Sequence, residues 1–365
     1  MLKWIVAVTL LSLCLGRSHP RGVRSVTVRR RDPEIRKGPF AHDPMDYFVM
    51  TVALEIGSGW QNCYECWQQG QFVMDTTRGE LEVTTCNTAY PTLAPGYQGD
   101  LNCFDTFNST SYVQREDKFA TDTVSDVDGN PIELVKFATN KKHFGQFMGI
   151  AGFGWPAAQN NPLQTDYFPD VFFGKLSKRF QLKLDADAHF MTGSFTNRNV
   201  DICELSDLPT VNAPVSSKRY WQFAFTSVSI GDIGWNTGDH MVIDTRKEYI
   251  GMPKRLLTTF ASAHNVTWDG LYGVYTLECE KVKTLPALEI SLDRLATLSI
   301  PASEYFYMDR PLPNGRCALD FEDSKANGFG PSWYIGLHIF TQYCTTFDFE
   351  AAQLSFTVMP PPQAL

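Results

Sequence analysis

Three features are scarce in this 365-residue chain: long apolar runs, uninterrupted helical patterns, and positive charge beyond the N-terminal segment. No stretch reaches the roughly 18 apolar residues expected of a transmembrane helix. The 21 prolines and 26 glycines interrupt nearly every candidate long helix, which excludes a helix bundle. The net charge of −8 argues against a protein that binds nucleic acid duplexes.

Several kinds of chemical motif are also missing. No serine lies in a nucleophile elbow, and no glycine-rich loop has the phosphate-binding pattern. Cys63 and Cys66 are spaced like half of a zinc site, but no second ligand pair follows. A redox-active pair is an alternative for these two cysteines, although no strand–helix pattern surrounds them. The sequence therefore predicts neither a metal nor a cofactor.

Short apolar runs of strand length are abundant, and aromatic residues make up 13% of the chain. Glycine, proline, asparagine and aspartate bound these runs, as is typical of strands joined by turns. The clearest candidates are Tyr47–Ile56, Phe72–Asp75, Trp221–Ile230, Met241–Asp244 and Leu288–Leu292. Short helices are predicted over 253–263, 340–343 and 164–170. The predicted fold class is mainly β with a few short helices.

The N-terminus has the pattern of a secretory signal peptide over residues 1–16. Lys3 precedes an apolar run from Trp4 to Leu15, which ends in small residues near Gly16. The following segment, 17–44, is basic: residues 17–40 carry a net charge of +6, whereas residues 41–365 carry −15. This segment is interpreted either as a solvated basic tail or as a propeptide lying across an acidic cleft.

The cysteines and glycosylation sequons agree with export. Once Cys14 leaves with the signal peptide, eight cysteines remain, and an even number in an exported chain predicts disulfides. Sequons begin at Asn108 and Asn265 and predict N-linked glycans. A secreted or lysosomal location follows as the expectation.

An internal repeat indicates two similar lobes. An apolar strand ends in Asp75-Thr76 in the first half and in Asp244-Thr245 in the second, 169 residues later. Each is followed downstream by an apolar segment with glycine, which is 149–154 in the first half and 333–336 in the second. Two copies of one unit in the same order favour a duplicated architecture.

The chain resembles the pepsin-like aspartic proteases over most of residues 45–360. Besides the two Asp-Thr turns, the resemblance rests on segments 149–156, 220–223, 228–231, 285–288, 332–336 and 347–348. It implies a bilobal pepsin-like fold, with an N-terminal lobe over 45–218 and a C-terminal lobe over 219–365. It also implies that Asp75 and Asp244 stand at the catalytic positions, that a peptide or protein lies in the cleft, and that the protein is a monomer.

The same resemblance implies a pairing of the cysteines. Cys86–Cys103 closes the loop after the first turn, and Cys279–Cys317 closes the matching loop of the second lobe. Cys63–Cys66 then forms a local bridge in a hairpin insertion. Cys203 and Cys344 remain and join strands beneath the second lobe.

Both Asp-Thr turns depart from the family pattern. Thr77 and Arg246 stand where the resemblance leads us to expect glycine, while Thr76 and Thr245 keep the threonine that joins the two loops in the family. Arg78 and Lys247 stand where small hydroxyl residues are usual. A cation close to an aspartate favours its ionised form, so we expect both carboxylates to be charged and the general acid to be missing.

A second departure is the flap, the hairpin that covers the cleft in this family and carries a tyrosine. Only Val113–Thr121 lies between the two segments that usually flank it, and this stretch holds no tyrosine and no glycine. The sequence therefore predicts a catalytically inactive homologue that binds a ligand in its cleft. The alternative is an active aspartic endopeptidase with an atypical pair of aspartates.

Overall fold

A computed structural model describes residues 23–31, 47–57, 68–86, 103–106, 109–126, 131–141, 147–174, 178–187, 190–196, 201–203, 208–236, 238–292, 296–308, 311–325 and 330–360. Within these residues the protein is mainly β, with five short α-helices and a 3-10 turn at Pro156–Ala158. The strands form one large connected sheet system, a four-stranded sheet and a three-stranded sheet. The mainly β prediction is confirmed.

The strands, in chain order, are β1 (Val23–Arg31), β2 (Tyr47–Ile56), β3 (Gln68–Asp75), β4 (Leu81–Thr84), β5 (Val113–Glu116), β6 (Phe119–Asp126), β7 (Pro131–Asn140), β8 (Gly149–Gly152), β9 (Arg179–Asp187), β10 (Phe190–Thr196), β11 (Thr210–Ser217), β12 (Gln222–Phe225), β13 (Ser227–Ile230), β14 (Ile233–Trp235), β15 (Asp239–Ile243), β16 (Ile250–Met252), β17 (Thr267–Asp269), β18 (Val274–Glu278), β19 (Leu288–Ser291), β20 (Thr297–Ile300), β21 (Arg316–Ala318), β22 (Phe321–Asp323), β23 (Trp333–Ile335), β24 (Tyr343–Asp348) and β25 (Gln353–Val358).

The helices are α1 (Phe168–Phe173), α2 (Lys254–Ala263), α3 (Cys279–Val282), α4 (Ala302–Tyr305) and α5 (His338–Gln342). Helix α2 agrees with the predicted 253–263, because its apolar residues recur at helical spacing and form one buried face. Helix α1 begins four residues later than predicted, since Pro169 fits the first turn of a helix. Helices α3 and α4 have only four residues each, too few for a periodic signal.

The two halves of the chain that share the sequence repeat also share one pattern of strand pairing. In the first half, β3 runs parallel to β8, β4 runs antiparallel to β8, and β4 runs parallel to β7. In the second half, β15, β16, β23 and β22 pair in the same three ways. Asp75 ends β3 and Asp244 directly follows β15, so the two aspartates occupy equivalent places.

A shared antiparallel sheet joins the two halves. Strand β9 of the first half pairs with β24, and β11 pairs with β25, while β24 and β25 pair with each other. On the other side, β10 pairs with β9 and with β1. Strand β1, residues 23–31 of the basic segment, also pairs with β2. Both edges of β1 are therefore paired within the sheet. That segment 17–44 is a propeptide stays a prediction.

The aromatic residues of the chain form a continuous core between the lobes. Trp221 of the second half packs on Trp155 and Phe347, with ring centroids 4.7 and 5.2 Å away. Its indole N–H donates to the carbonyl of Phe153 in the first half at 2.8 Å. Phe180 stacks on Phe347 with centroids 4.4 Å apart. The buried indole thus has the polar partner that a large aromatic side chain needs in a core.

Three disulfides lie in the described residues, and each joins a predicted pair: Cys86–Cys103, Cys203–Cys344 and Cys279–Cys317. The predicted Cys63–Cys66 bridge lies outside the described residues, as do the signal peptide and Asn108. Asn265 is exposed and has a positive φ of 55°. Its glycosylation stays a prediction.

Candidate active site

The two Asp-Thr turns meet at the interface between the lobes and hold each other by hydrogen bonds. The Thr76 hydroxyl donates to the carbonyl of Ile243 at 2.8 Å, and the Thr245 hydroxyl donates to that of Met74 at 2.7 Å. Each threonine oxygen also accepts the backbone N–H of the other threonine, at 3.1 and 3.2 Å. Both side chains are fully buried, so the turns are fixed relative to each other.

Thr77 and Arg246, at the expected glycine positions, each contribute a backbone N–H to the aspartate of their own turn. The N–H of Thr77 donates to Oδ1 of Asp75 at 2.8 Å, and that of Arg246 donates to Oδ1 of Asp244 at 3.1 Å. The Thr77 hydroxyl adds a second donor to Asp75 at 2.6 Å. The local turn geometry therefore survives without glycine, since neither residue needs a left-handed backbone.

The Arg246 guanidinium lies between the two carboxylates. Its Nε is 3.0 Å from Oδ2 of Asp75 and 3.7 Å from Oδ1 of Asp244. Both contacts are ion pairs without the alignment of a hydrogen bond. Nη2 of Arg246 donates to the Thr77 hydroxyl at 3.3 Å. One nitrogen within 4 Å of both carboxylates shows that the predicted pair of aspartates is brought together. It also places a cation against both carboxylates.

Arg78 connects the first aspartate to an acidic residue of the next strand. Its Nε is 3.4 Å from Oδ2 of Asp75, and its Nη1 is 2.6 Å from Oε2 of Glu82 in β4. Glu82 also accepts the side-chain N–H of Asn140 at 2.9 Å. Sequence analysis did not pair Glu82 with Arg78, because this contact depends on how β4 folds back beside the turn.

Lys247 contacts the second aspartate and two aromatic rings. Its Nζ is 3.9 Å from Oδ2 of Asp244 and lies 3.7 Å from the ring centroid of Tyr334 and 5.3 Å from that of Tyr249. Burial lowers the pKa of the Lys247 ammonium, with Arg246 acting in the same direction and Asp244 against it. Neither tyrosine was predicted, because an aromatic residue in a mainly β chain gives no site signal of its own.

The cations are not the largest influence on the pKa of Asp244. Burial raises the pKa of its carboxyl, and the neighbouring Asp75 raises it further, while Arg246 and Lys247 oppose them. The side chain is 2% exposed, so loss of hydration outweighs the attraction of the cations. Asp244 therefore keeps its proton to a higher pH than a free aspartate does.

The segment predicted to lack a usual flap forms the short hairpin β5–β6, which turns at Asp117 and Lys118. All four residues of β5 are exposed. Tyr112, just before this hairpin, packs on Phe104 with centroids 5.8 Å apart. The hairpin itself carries no tyrosine, in agreement with the sequence analysis.

Two carboxylates at the ends of pseudo-symmetric turns, one from each lobe, define the aspartic protease architecture. Residues 110–359 match the family described as eukaryotic aspartyl protease. The chain belongs to this pepsin-like family, which confirms the bilobal pepsin-like fold.

The chain is similar to Aspartic protease 17 of Caenorhabditis elegans, with 27% identity over 69% of each chain. Aspartic protease 1 of the same organism is 26% identical over 79% of this chain and 78% of its own. Gastricsin of Mus musculus is 26% identical over 56% of this chain and 52% of its own.

In the described part of the chain, no helix is long and apolar enough to cross a membrane. Nor do the described histidine, cysteine, aspartate and glutamate side chains form a group of three that could hold a metal ion.

Proposed function

We propose that this chain is an exported member of the aspartic protease family that does not hydrolyse peptide bonds and instead binds a peptide or protein segment in its cleft. The observation that carries this proposal is the position of Arg246. In the family mechanism, one carboxylate activates a water while the other, protonated, donates to the substrate carbonyl. A guanidinium nitrogen 3.0 Å from Asp75 and 3.7 Å from Asp244 occupies the space that this water needs.

The other cations strengthen the argument. Arg78 also lies beside Oδ2 of Asp75, and Lys247 lies beside Oδ2 of Asp244, so that each aspartate has two cationic neighbours. The short β5–β6 hairpin, which carries no tyrosine, also supports the proposal, because the usual flap helps to hold the substrate. General acid–base help is effective only when the substrate is held in line with the catalytic groups and water is excluded.

One observation favours the alternative, an active endopeptidase. Burial raises the pKa of Asp244, which is the direction that the mechanism requires of the carboxyl that acts as the acid. For this alternative to hold, Arg246 would have to move aside when substrate binds.

A cleavage assay separates the two. The secreted protein is incubated with a denatured protein substrate at acid pH, with and without a general inhibitor of aspartic proteases, and Asp75→Asn serves as the control for contaminating activity. We expect no cleavage above that control. We expect the same from the double variant Thr77→Gly/Arg246→Gly, since Arg78, Lys247 and the short hairpin remain. Cleavage that both the inhibitor and Asp75→Asn abolish would establish the endopeptidase.

A further inference from the structure

The second lobe carries two cations and two tyrosines in one continuous row beside Asp244. Nζ of Lys247 lies 3.9 Å from Oδ2 of Asp244 and 3.7 Å from the ring centroid of Tyr334. Tyr334 is close enough to Tyr220 for the two phenols to interact electrostatically. Arg219 extends the row, because its Nε donates to the Tyr220 hydroxyl at 3.2 Å. This row of Arg219, Tyr220, Tyr334 and Lys247 is called the cationic wall below.

Strand pairing places the cationic wall next to the carboxylate pair. Strand β12, which follows Arg219 and Tyr220, pairs with β15, and β15 pairs with β23, which carries Tyr334. Because β15 ends directly before Asp244, the wall begins at the second aspartate and continues along the second lobe. Arg219 is exposed, and the other three side chains are partly exposed. A ligand beside the carboxylates can therefore reach the wall.

Both cations of the wall have N–H groups that accept a further partner. Oδ2 of Asp244 is beyond hydrogen-bond distance of the Lys247 ammonium, and no other oxygen in the described part of the chain accepts a hydrogen bond from it. Glu322 also attracts this ammonium, but the two form no ion pair among the described residues. Arg219 donates from Nε to a neutral hydroxyl and forms no ion pair there either. Donors on both cations are thus available to an anionic ligand.

The carboxylates beside the wall, in contrast, already contact cations of the protein. Arg78 and Arg246 both lie beside Asp75, and Arg78 also contacts Glu82 at 2.6 Å. Asp244 is buried, and burial raises the pKa of its carboxyl, which reduces the negative charge that it presents. A cationic ligand would have to displace these cations, whereas a carboxylate meets donors that have no acceptor.

Charge and aromatic surface together select the class of ligand. Carboxylates accept charge-assisted hydrogen bonds from lysine and arginine, and tyrosine rings offer apolar surface to the aliphatic side chains between them. The wall is also a local exception, since the chain as a whole has a net charge of −8. We infer that the cleft binds an acidic peptide segment whose carboxylates contact Arg219 and Lys247. This inference rests on the proposed function, because it names the kind of peptide that the cleft holds.

The test compares three fluorescent peptides of equal length on the full-length secreted protein at neutral pH, by fluorescence polarisation. The peptides share a background of serine and leucine and carry glutamate, glutamine or lysine at every third position. We expect the glutamate peptide to bind about tenfold more tightly than the other two. Its affinity should fall as the sodium chloride concentration rises, because contacts between partly exposed charges are screened.

Arg219→Gln and Lys247→Gln each remove one cation of the wall. Each is expected to weaken binding of the glutamate peptide by about fivefold or more and to leave the glutamine peptide unchanged. The matched controls are Arg255→Gln on α2 and Lys283→Gln at the end of α3, which remove one exposed cation of the same type. These controls should bind the glutamate peptide as the wild type does. Arg219 is exposed, so its variant tests the wall without disturbing the turn at Lys247.

The outcomes separate this inference from the proposed function. Equal binding of the three peptides, a preference for glutamine or lysine, or an unchanged affinity in both wall variants would overturn the inference alone, since a peptide still binds. A heparin oligosaccharide that binds more tightly than every peptide would also overturn it.

Failure of all three peptides to bind would overturn both the inference and the peptide-binding part of the proposed function. Cleavage of the peptides, followed by mass spectrometry, would overturn the proposed function instead. The order of the three Michaelis constants would then decide the inference.

Discussion

Position 246 carries an arginine where the equivalent position of the first turn, 77, carries a threonine. Both keep the backbone N–H bond to their own aspartate, at 3.1 and 2.8 Å, but only the arginine side chain crosses to the other lobe. Burial alone lowers the pKa of Arg246, yet the two carboxylates outweigh it and raise that pKa. The guanidinium is thus a permanently charged bridge between the two aspartates.

A pH-dependent prediction concerns Asp122, a fully buried residue of β6. Burial raises the pKa of its carboxyl, although Ser111 and the N–H of Thr123 donate to Oδ1. Oδ2 has no hydrogen-bond partner among the described residues. Because the folded protein then binds this proton more tightly than the unfolded chain does, stability falls as pH rises through the unfolded and folded pKa values.

Asp122→Asn keeps the accepting oxygen and removes the charge. We expect the variant to be more stable than the wild type by about 1 kcal/mol at neutral pH, and equal to it near about pH 3, where aspartate is protonated in both states. Urea denaturation at the two pH values measures the difference. A variant less stable at neutral pH would show that the carboxylate is the favoured form in the fold.

At the scale of single elements, the glycine before α5 determines how closely β23 approaches the second Asp-Thr turn. A Cβ at Gly336 would lie 2.2 Å from the carbonyl oxygen of Lys247 and 2.7 Å from that of Glu248. The N–H of Leu337 also donates to the Lys247 carbonyl at 3.0 Å. The downstream glycine recognised in the sequence repeat is therefore required by contact with the turn.

Gly336→Ala is expected to destabilise the protein by about 2–3 kcal/mol, since the turn backbone must move to accept the methyl group. The control is Gly270→Ala, where a Cβ meets nothing within 4 Å and φ is not positive. That variant should stay within about 0.5 kcal/mol of the wild type. Chemical denaturation of both variants provides the comparison, and equal stabilities would contradict the role given to Gly336.

At the scale of the whole molecule, the lobes are joined in four ways. The shared sheet pairs β9 with β24 and β11 with β25, the aromatic core packs Trp221 against Trp155, and Cys203–Cys344 bonds them covalently. The fourth link is the exchange of hydrogen bonds between Thr76 and Thr245. It is the link nearest the carboxylates, so it sets their separation.

Thr245→Val keeps the side-chain shape and leaves the Met74 carbonyl and the Thr76 N–H without their partner. We expect a loss of about 2–4 kcal/mol, because both groups are buried. Thr259→Val is the control, since its exposed hydroxyl bonds only to the carbonyl of Arg255 within α2, and it should change stability by less than about 1 kcal/mol. Calorimetric unfolding of both variants checks this, and a similar loss in the two would argue against the threonine exchange as a link between the lobes.

The sequence alone determined the fold class, the repeat and the identity of the aspartate pair. Apolar runs of strand length and two Asp-Thr turns with their downstream glycines are local patterns, and their chemistry can be recognised one segment at a time. The family resemblance added the three cysteine pairs seen in the structure. The replacement of both turn glycines could also be read directly from the chain.

Only the tertiary structure decided what those replacements do. Whether Arg246 points to solvent or to the opposite carboxylate depends on where the other lobe brings Asp75, and a raised rather than lowered pKa of Asp244 depends on how completely the site is buried. The cationic wall likewise exists only because three distant segments fold together. Burial and the direction of charged side chains are properties of the packed molecule, since they arise from contacts between residues far apart in sequence.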